Sequence, residues 1–162
     1  MKHLKLYENF ESKDFKRGDL IKQKSFNNEE HTSYLFLVLK DGTSIKTDNW
    51  FGKAGKIDII DVILIGQIGQ PKLSKDFKSG KSVYYTYLHL YVDKPNNIDN
   101  DQRIIFLTEI EKDRVYSEIA NFNTSAPNGM LNLLKNRTDV DLKETEEYKN
   151  WLIKKDLDKY NL

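Results

Sequence analysis

The chain has 162 residues, of which 38% are hydrophobic, 31% charged and 12% aromatic, a composition that predicts a single folded domain and excludes a disordered chain. Its 26 basic and 25 acidic residues give a formal net charge of +1, which excludes a protein that holds nucleic acid or an anionic membrane by bulk charge alone. The chain has no cysteine, which excludes disulfides, thiolate metal sites and cysteine nucleophiles, and favours a reducing, cytoplasmic location.

The sequence contains no segment that reads as a targeting signal or a membrane span. The N-terminus, MKHLKLYENFESKDF, has no long apolar run, and the longest apolar stretch, residues 57–68, is interrupted by aspartate, glycine and glutamine. We therefore expect neither secretion nor association with a membrane.

The predicted strands begin after a short amphipathic leader, residues 1–15. Residues 15–26 contain a Gly-Asp turn followed by a strand, an arrangement similar to the first strand of SH3-like barrels. Asp41 and Gly42 then separate two β-rich runs, and this pair predicts a hairpin because both central residues of a type I′ turn need positive φ.

The next segment, residues 47–56, is predicted to be a glycine-containing loop that displays Trp50 and Phe51. A strand over residues 57–71 follows it. Three residues of that strand are expected to mark a bulge and its end: Gly66, Gly69 and Pro71.

The clearest predicted strand is VYYTYLHLYVDK, residues 83–94, which follows a polar, lysine-rich loop over residues 72–82. Alternation along this strand separates an aromatic face from a core face. The aromatic face carries Tyr85, Tyr87, His89 and Tyr91. The core face carries Tyr84, Thr86, Leu88, Leu90 and Val92.

The remaining chain is predicted to change from strand to helix. Residues 95–102 are a turn and residues 103–110 a strand, and helical spacing of apolar residues then predicts helices over 112–122 and 128–135. Asp141 with Glu144 has the pattern of a capping box at the start of a third helix.

These elements predict an α+β fold: a small curved antiparallel sheet or barrel, SH3-like or OB-like, followed by two or three C-terminal helices. We expect one domain over residues 1–162, with a β-rich barrel over 16–110 and a helical extension over 111–162. Residues 1–92 hold 15 basic and 11 acidic groups, a net charge of +4, whereas residues 93–162 hold 11 and 14, a net charge of −3. The mild basic charge therefore lies in the β-rich part.

The candidate binding surface combines exposed aromatic rings with lysines, as in small barrels that stack single-stranded bases and track phosphates. The candidate residues are Trp50, Phe51, Lys75, Lys78, Tyr85, Tyr87, His89 and Tyr91. Two alternatives remain. Tyrosine is common on half-buried strands, and the 22 lysines against 4 arginines, with 14 asparagines and 14 isoleucines, match the AT-rich codons of a low-GC genome.

An enzymatic interpretation depends on carboxylates. Glu109, Glu111 and Asp113 form a metal-dependent nuclease site only if they converge in a cleft with a divalent cation. Phosphate-loop, dinucleotide, nucleophile-elbow and zinc-protease motifs do not occur, and His3, His31 and His89 are far apart in sequence. We therefore expect a non-enzymatic protein without a metal or cofactor.

The N-terminal decapeptide MKHLKLYENF resembles the openings of small uncharacterised proteins of tailed phages from low-GC hosts. It is also similar to the capsid-targeting peptides of T-even-type phages, which begin Met-Lys, carry an aromatic and acidic stretch, and are cleaved after glutamate in a Leu/Ile-x-Glu context. Leu6, Tyr7 and Glu8 match that context. The resemblance implies a viral, phage-encoded protein and a place in the host cytoplasm or the virion.

Three functional hypotheses follow. The first is a binding module that engages nucleic acid or a host protein through the aromatic and lysine-rich β surface. The second, from the N-terminal resemblance, is a structural or packaged virion protein. The third is an inhibitor of a host defence enzyme, in which the acidic C-terminal helices imitate a nucleic-acid backbone.

Overall fold

Nine strands precede three α-helices in the computed structural model, which describes residues 14–24, 32–50, 53–100, 103–122 and 129–160. The strands are β1 (Leu20–Lys24), β2 (Thr32–Val38), β3 (Ser44–Trp50), β4 (Lys53–Gly69), β5 (Lys72–Lys75), β6 (Ser82–Tyr85), β7 (Leu88–Leu90), β8 (Pro95–Asp99) and β9 (Ile104–Phe106). The helices are α1 (Glu109–Ala120), α2 (Met130–Thr138) and α3 (Glu146–Tyr160), with a short 3₁₀ helix (Leu142–Glu144) before α3. The predicted α+β class, a curved antiparallel sheet followed by helices, is confirmed.

The 17-residue strand β4 organises the sheet. Strands β2 and β3 pair one after the other along one edge of β4, and β7 and β8 pair along its other edge. Strand β1 pairs with β2 and β9 pairs with β1, so that seven antiparallel strands form one curled sheet. The remaining strands, β5 and β6, form a separate two-stranded hairpin.

The prediction of a β-hairpin at Asp41 and Gly42 is wrong. Strands β2 and β3 do not pair with each other, because both pair with β4. Gly42 does adopt a positive φ of 73°, and its N–H donates to the carbonyl of Phe15 at 2.7 Å. The Asp41 carboxylate accepts from the N–H of Arg17 at 2.8 Å. This bend therefore joins two strands that pair in succession with the same edge of β4, and it anchors the segment before β1.

Three other local predictions need correction. Within the loop predicted over 47–56, residues 47–50 belong to β3 and residues 53–56 to β4, with Trp50 paired opposite Lys53. The turn predicted over 95–102 contains strand β8. This strand forms because β4 is long enough to pair with β8 over Ile59–Ile63 as well as with β7. The single strand predicted over 83–94 is divided between β6 and β7, which belong to different sheets.

The bulge predicted at Gly66 is confirmed. The register between β2 and β4 shifts between Leu35, which faces Gly66, and Phe36, which faces Leu64. A Cβ atom at Gly66 would overlap the carbonyl oxygen of His89 on the neighbouring strand β7. The extra residue in the bulge and the missing side chain together let β7 pair closely with β4.

The sheet has two differently covered faces. On one face, Leu35, Leu37 and Ile63 pack with Val115 and Ile119 of α1 in a core that extends to α2 and α3. The opposite face holds a second buried cluster, which among the described residues comes from the sheet and from Phe15: Phe15, Ile21, Phe36, Val38, Ile60, Val62 and Ile104. The helices therefore cover one face alone, and the sheet curls around the second cluster.

Helix α1 begins earlier than the predicted residue 112, because the cap comes from Thr108. The Thr108 hydroxyl accepts from the N–H of Glu111 at 3.3 Å, and the Glu111 carboxylate accepts from the N–H of Thr108 at 3.0 Å. Thr108 and Glu111 thus form a capping box that was not predicted from the sequence, whereas the capping box predicted at Asp141 and Glu144 for the third helix is wrong. Asp141 instead caps the 3₁₀ helix by accepting from the N–H of Lys143 at 3.1 Å.

Candidate functional site

The aromatic face predicted for residues 85–91 lies on the side of the chain that the helices leave uncovered. The Tyr85 side chain is 60% exposed and that of Tyr87 44% exposed. His89 is exposed and Tyr91 half-buried, and their ring centroids lie 5.2 Å apart. The four predicted residues therefore follow one another along the same face, although the strand is interrupted between Tyr85 and Leu88.

The alternate residues of this segment face the helices. Thr86 is buried, and Leu88, Leu90 and Val92 pack against the core shared with the helices. Side chains from α1 and α2 also hold the backbone from this side: the Arg114 Nε donates to the carbonyl of Thr86 at 3.1 Å, and Arg137 donates to the carbonyls of Val92 and Asp93. The helices thus fix the segment from behind and leave its aromatic side chains in front.

Neighbouring strands extend the aromatic face into a polar row. Tyr34 of β2 pairs with Gln67 of β4, which pairs with His89 of β7, and Gln23 of β1 lies opposite Tyr34. Directly opposed residues in antiparallel strands point to the same side. The row Gln23, Tyr34, Gln67 and His89 therefore crosses four strands on the face that carries the tyrosines.

Tyr91 lies within this aromatic group. Burial raises the pKa of its phenol above the ordinary value, and the neighbouring Tyr34, Asp93 and Tyr87 add to the effect. The ring consequently stays neutral at physiological pH and retains a hydroxyl that donates as well as accepts.

The β5–β6 hairpin supplies the lysines. Lys72 and Lys75 lie on β5, and Lys78 lies in the connecting turn with an exposed side chain. The turn is built around Asp76, whose carboxylate accepts from the N–H of Lys78 at 3.1 Å and from the Ser79 hydroxyl at 2.9 Å. Among the described residues, no carboxylate forms an ion pair with these lysines. The predicted loop over 72–82 is therefore a hairpin with free ammonium groups.

A pocket of about 300 Å³ lies where this hairpin meets the sheet. The rings of Tyr85 and Tyr87 line it together with the amides of Gln67 and Gln70. The other lining residues are Thr32, Gly69 and Lys72. The pocket therefore joins the aromatic face to the basic hairpin.

Two predicted site residues are not located with their side chains. Trp50 ends β3, where its backbone pairs with Lys53, but only its backbone is described. Phe51 lies outside the described residues, as do residues 1–13, which include Leu6-Tyr7-Glu8, and the histidines at positions 3 and 31. The prediction that Trp50 and Phe51 join the aromatic surface stays a prediction.

The carboxylates considered for a nuclease site have other partners. Glu111 is buried, closes the cap of α1 and forms an ion pair with Lys22 at 2.6 Å. Asp113 accepts from the indole N–H of Trp151 at 2.9 Å, and Glu109 lies near Lys112 and Lys154. Within the described residues, no three carboxylate or histidine side chains come together as metal ligands would.

Sequence reasoning missed Tyr34, Gln67 and Gln70 as members of the face. Tyr34 alternates with Leu35 and Leu37, a period-two pattern that places it away from the helix-covered core, so its side was predictable. Gln67 and Gln70 carried no such signal, because their position depends on the bulge at Gly66 and on the pairing of β4 with two partners.

Comparisons of the chain with protein-family models, with curated proteins and with solved structures gave no match. Among the described residues, no helix combines the length and apolar character needed to cross a membrane.

Proposed function

We propose that this protein binds single-stranded nucleic acid on the face formed by Tyr85, Tyr87, His89 and Tyr91. The observation that carries the proposal is the division of the segment 85–92: its aromatic side chains face away from the helices, and its alternate residues are anchored to them. Rings held in this way need little reordering when bases stack on them, which reduces the entropic cost of binding.

The charges beside the rings favour a polyanionic ligand. Residues 72–91 contain four lysines and a single aspartate, a local net charge of +3, and the aspartate is engaged in the hairpin turn. Lysines next to stacking rings follow the phosphates of a strand whose bases lie on the rings. The near-neutral charge of the whole chain does not oppose this local attraction, because salt screens charges more than about 10 Å apart.

An unpaired strand suits this surface better than a duplex. The side chains of Tyr85 and Tyr87 are 60% and 44% exposed, and exposed tyrosine rings can stack on base faces. In a duplex those base faces are already stacked, and side chains reach only base edges and phosphates. We therefore assign the ligand class as single-stranded DNA or RNA without assigning a sequence at this level.

The direct test is fluorescence anisotropy of labelled single strands, about twelve nucleotides long, titrated with the protein at low salt, with a duplex of equal length as comparison. Tyr87→Ala is expected to weaken single-strand binding by about fivefold to 150-fold, the range that corresponds to about 1–3 kcal/mol for one stacked base. Tyr160→Ala is the matched control, because Tyr160 is 85% exposed near the end of α3, away from the tyrosine face.

The outcomes separate clearly. Binding of single strands that is weakened by Tyr87→Ala and unaffected by Tyr160→Ala supports the proposal. Absence of binding to both DNA and RNA at low salt contradicts it. An equal loss with both variants contradicts the assignment of the site to the tyrosine face.

A protein partner is a second candidate, favoured by the hairpin. Phe77 at its turn is fully exposed, and Leu73 on β5 is 61% exposed, so that two apolar side chains project beside the lysines. Such apolar anchors are typical of protein contacts. A partner retained from nuclease-treated host lysate by the wild-type protein, but not by Phe77→Ser, would favour this alternative. A partner that is retained from untreated lysate but not from nuclease-treated lysate would instead favour nucleic acid as the ligand.

A further inference from the structure

We propose that the pocket between β4 and the β5–β6 hairpin receives one unpaired base and discriminates among bases, an inference that rests on the proposed function. The 300 Å³ pocket lies at the lower end of the range for small-ligand sites, which fits one base rather than a larger ligand. Its lining contains two aromatic rings, two primary amides and a lysine. This composition matches three features of a nucleotide: the flat face of the base, the polar edge of the base and the phosphate.

Gly69 provides room in the pocket. A Cβ atom at this position would lie 3.1 Å from the Cβ of Tyr87, tighter than an ordinary carbon contact. The backbone N–H of Gly69 donates to the carbonyl of Tyr87 at 2.9 Å, which fixes the end of β4 against the segment before β7. The absence of a side chain at Gly69 therefore brings the Tyr87 ring close to β4 and keeps the space beside it empty.

The two amides give the pocket its polarity. Gln67 is half-buried and Gln70 exposed, and neither side-chain amide has a hydrogen-bond partner among the described residues. Each amide carries donors and an acceptor side by side. Base edges present the same pairing of donors and acceptors, and proteins that read single strands form hydrogen bonds to those edges while the base stacks on a ring. The amides are therefore placed to read a base held against Tyr85 or Tyr87.

Lys72 completes the arrangement. It pairs across the hairpin with Tyr85, so its ammonium group and the Tyr85 ring lie on the same side of β5 and β6. A base at the ring then has its phosphate within reach of the lysine. An apolar side chain from a peptide would instead leave the two amides and the ammonium group without partners, which disfavours it.

The test compares homopolymeric oligonucleotides of the four bases, as DNA and as RNA, in the anisotropy assay with the wild-type protein. We expect at least about a tenfold difference in affinity between the preferred and the least preferred base, as one well-paired amide contact provides. Gln67→Met keeps the length of the side chain but removes its hydrogen bonds. It is expected to reduce that difference to less than about threefold.

Gln23→Met is the matched control, since Gln23 stands in the same cross-strand row but does not line the pocket. Gln70→Met, at an exposed position, tests the same idea if Gln67→Met lowers stability.

Three results would be decisive. A preference lost in Gln67→Met or Gln70→Met and kept in Gln23→Met supports the pocket as a base-reading site. Equal binding of all four bases, or a preference unchanged in both pocket variants, overturns this inference and leaves the proposed function intact. Failure of every oligonucleotide to bind overturns the proposed function itself.

Discussion

The Nζ of Lys22 on β1 lies 2.6 Å from Oε2 of Glu111 on α1, and the side chains of the two residues are only 11% and 1% exposed. The other carboxylate oxygen of Glu111 accepts from the N–H and the hydroxyl of Thr108. One buried carboxylate therefore joins the sheet to the helical layer and also caps the first helix. This joint holds α1 against the face of the sheet opposite the tyrosines.

Replacing Glu111 by Gln is expected to destabilise the protein by about 3 kcal/mol, because it leaves the buried Lys22 ammonium without a counter-charge while the amide oxygen still caps the helix. Urea denaturation followed by circular dichroism measures the change. Glu144→Gln is the control: its partner Lys149 is more than half exposed, and the loss should be below about 1 kcal/mol. A similar loss in both variants would contradict the structural role of the Lys22–Glu111 pair.

Much of the fold was predictable from local pattern. Alternation correctly separated Tyr85, Tyr87 and His89 from Thr86 and Leu88, because side-chain direction in a strand follows sequence position and the alternating exposure continues between β6 and β7. The helices were predicted for the same reason, from apolar spacing. The errors concern strand partners and the elements that depend on a partner, such as β8 in the predicted turn over 95–102. Asp41 and Gly42 are typical turn residues, and the chain does bend there. Strands β2 and β3 nevertheless pair with β4 and not with each other, and no local sequence pattern predicts that choice of partner.

The residues of the candidate site likewise include some that the sequence predicted and some that it missed. The tyrosines and lysines were selected as candidates because each group belongs to one continuous segment. Gln67 and Gln70 were missed because the pocket forms only where the end of β4 meets a hairpin that belongs to another sheet. Glu111 was considered as a metal ligand since acidic residues near a lysine fit that chemistry, whereas its actual partners are a helix cap and a lysine 89 positions earlier in the chain.

Gly66→Ala is expected to cost more than about 1 kcal/mol of stability, because the new methyl group would overlap the carbonyl oxygen of His89 and disturb the pairing of β4 with β7. Gly80→Ala is the matched control. Gly80 also has positive φ, 67°, but no atom lies within 4 Å of the added Cβ. Thermal unfolding of both variants measures the difference, and a loss no greater at Gly66 than at Gly80 would contradict the close approach of β7.

The stability of the protein is expected to depend on the ionisation of Asp19, which lies just before β1. Burial raises the pKa of its carboxyl above the ordinary 3.8, and this effect outweighs the hydrogen bond from the N–H of Lys16. The folded state then holds the proton more tightly than the unfolded state. The tighter binding of this proton therefore stabilises the folded state. That stabilisation is complete below about pH 3.8 and is lost as the pH rises through the pKa of Asp19 in the folded protein.

Asp19→Asn removes this titration. The stability of the variant relative to the wild type should therefore increase as the pH rises from 3.8 through the raised pKa of Asp19 and then become constant. Urea denaturation at a series of pH values measures the relative stability. A relative stability that stays constant over this interval, or falls, would show that Asp19 has no raised pKa in the folded protein.

The hairpin lysines provide the last prediction, which concerns the salt dependence of binding. Each lysine that contacts a phosphate of a single strand contributes about 0.7 to the slope of log affinity against log salt concentration. The double variant Lys75→Gln/Lys78→Gln is therefore expected to reduce that slope by about 1.4 and to weaken binding at low salt. Lys154→Gln/Lys159→Gln removes the same charge from α3, where both lysines are exposed, and should leave the slope almost unchanged. Equal slopes for the two double variants would show that the hairpin does not contact the phosphates, even if the tyrosine face binds the bases.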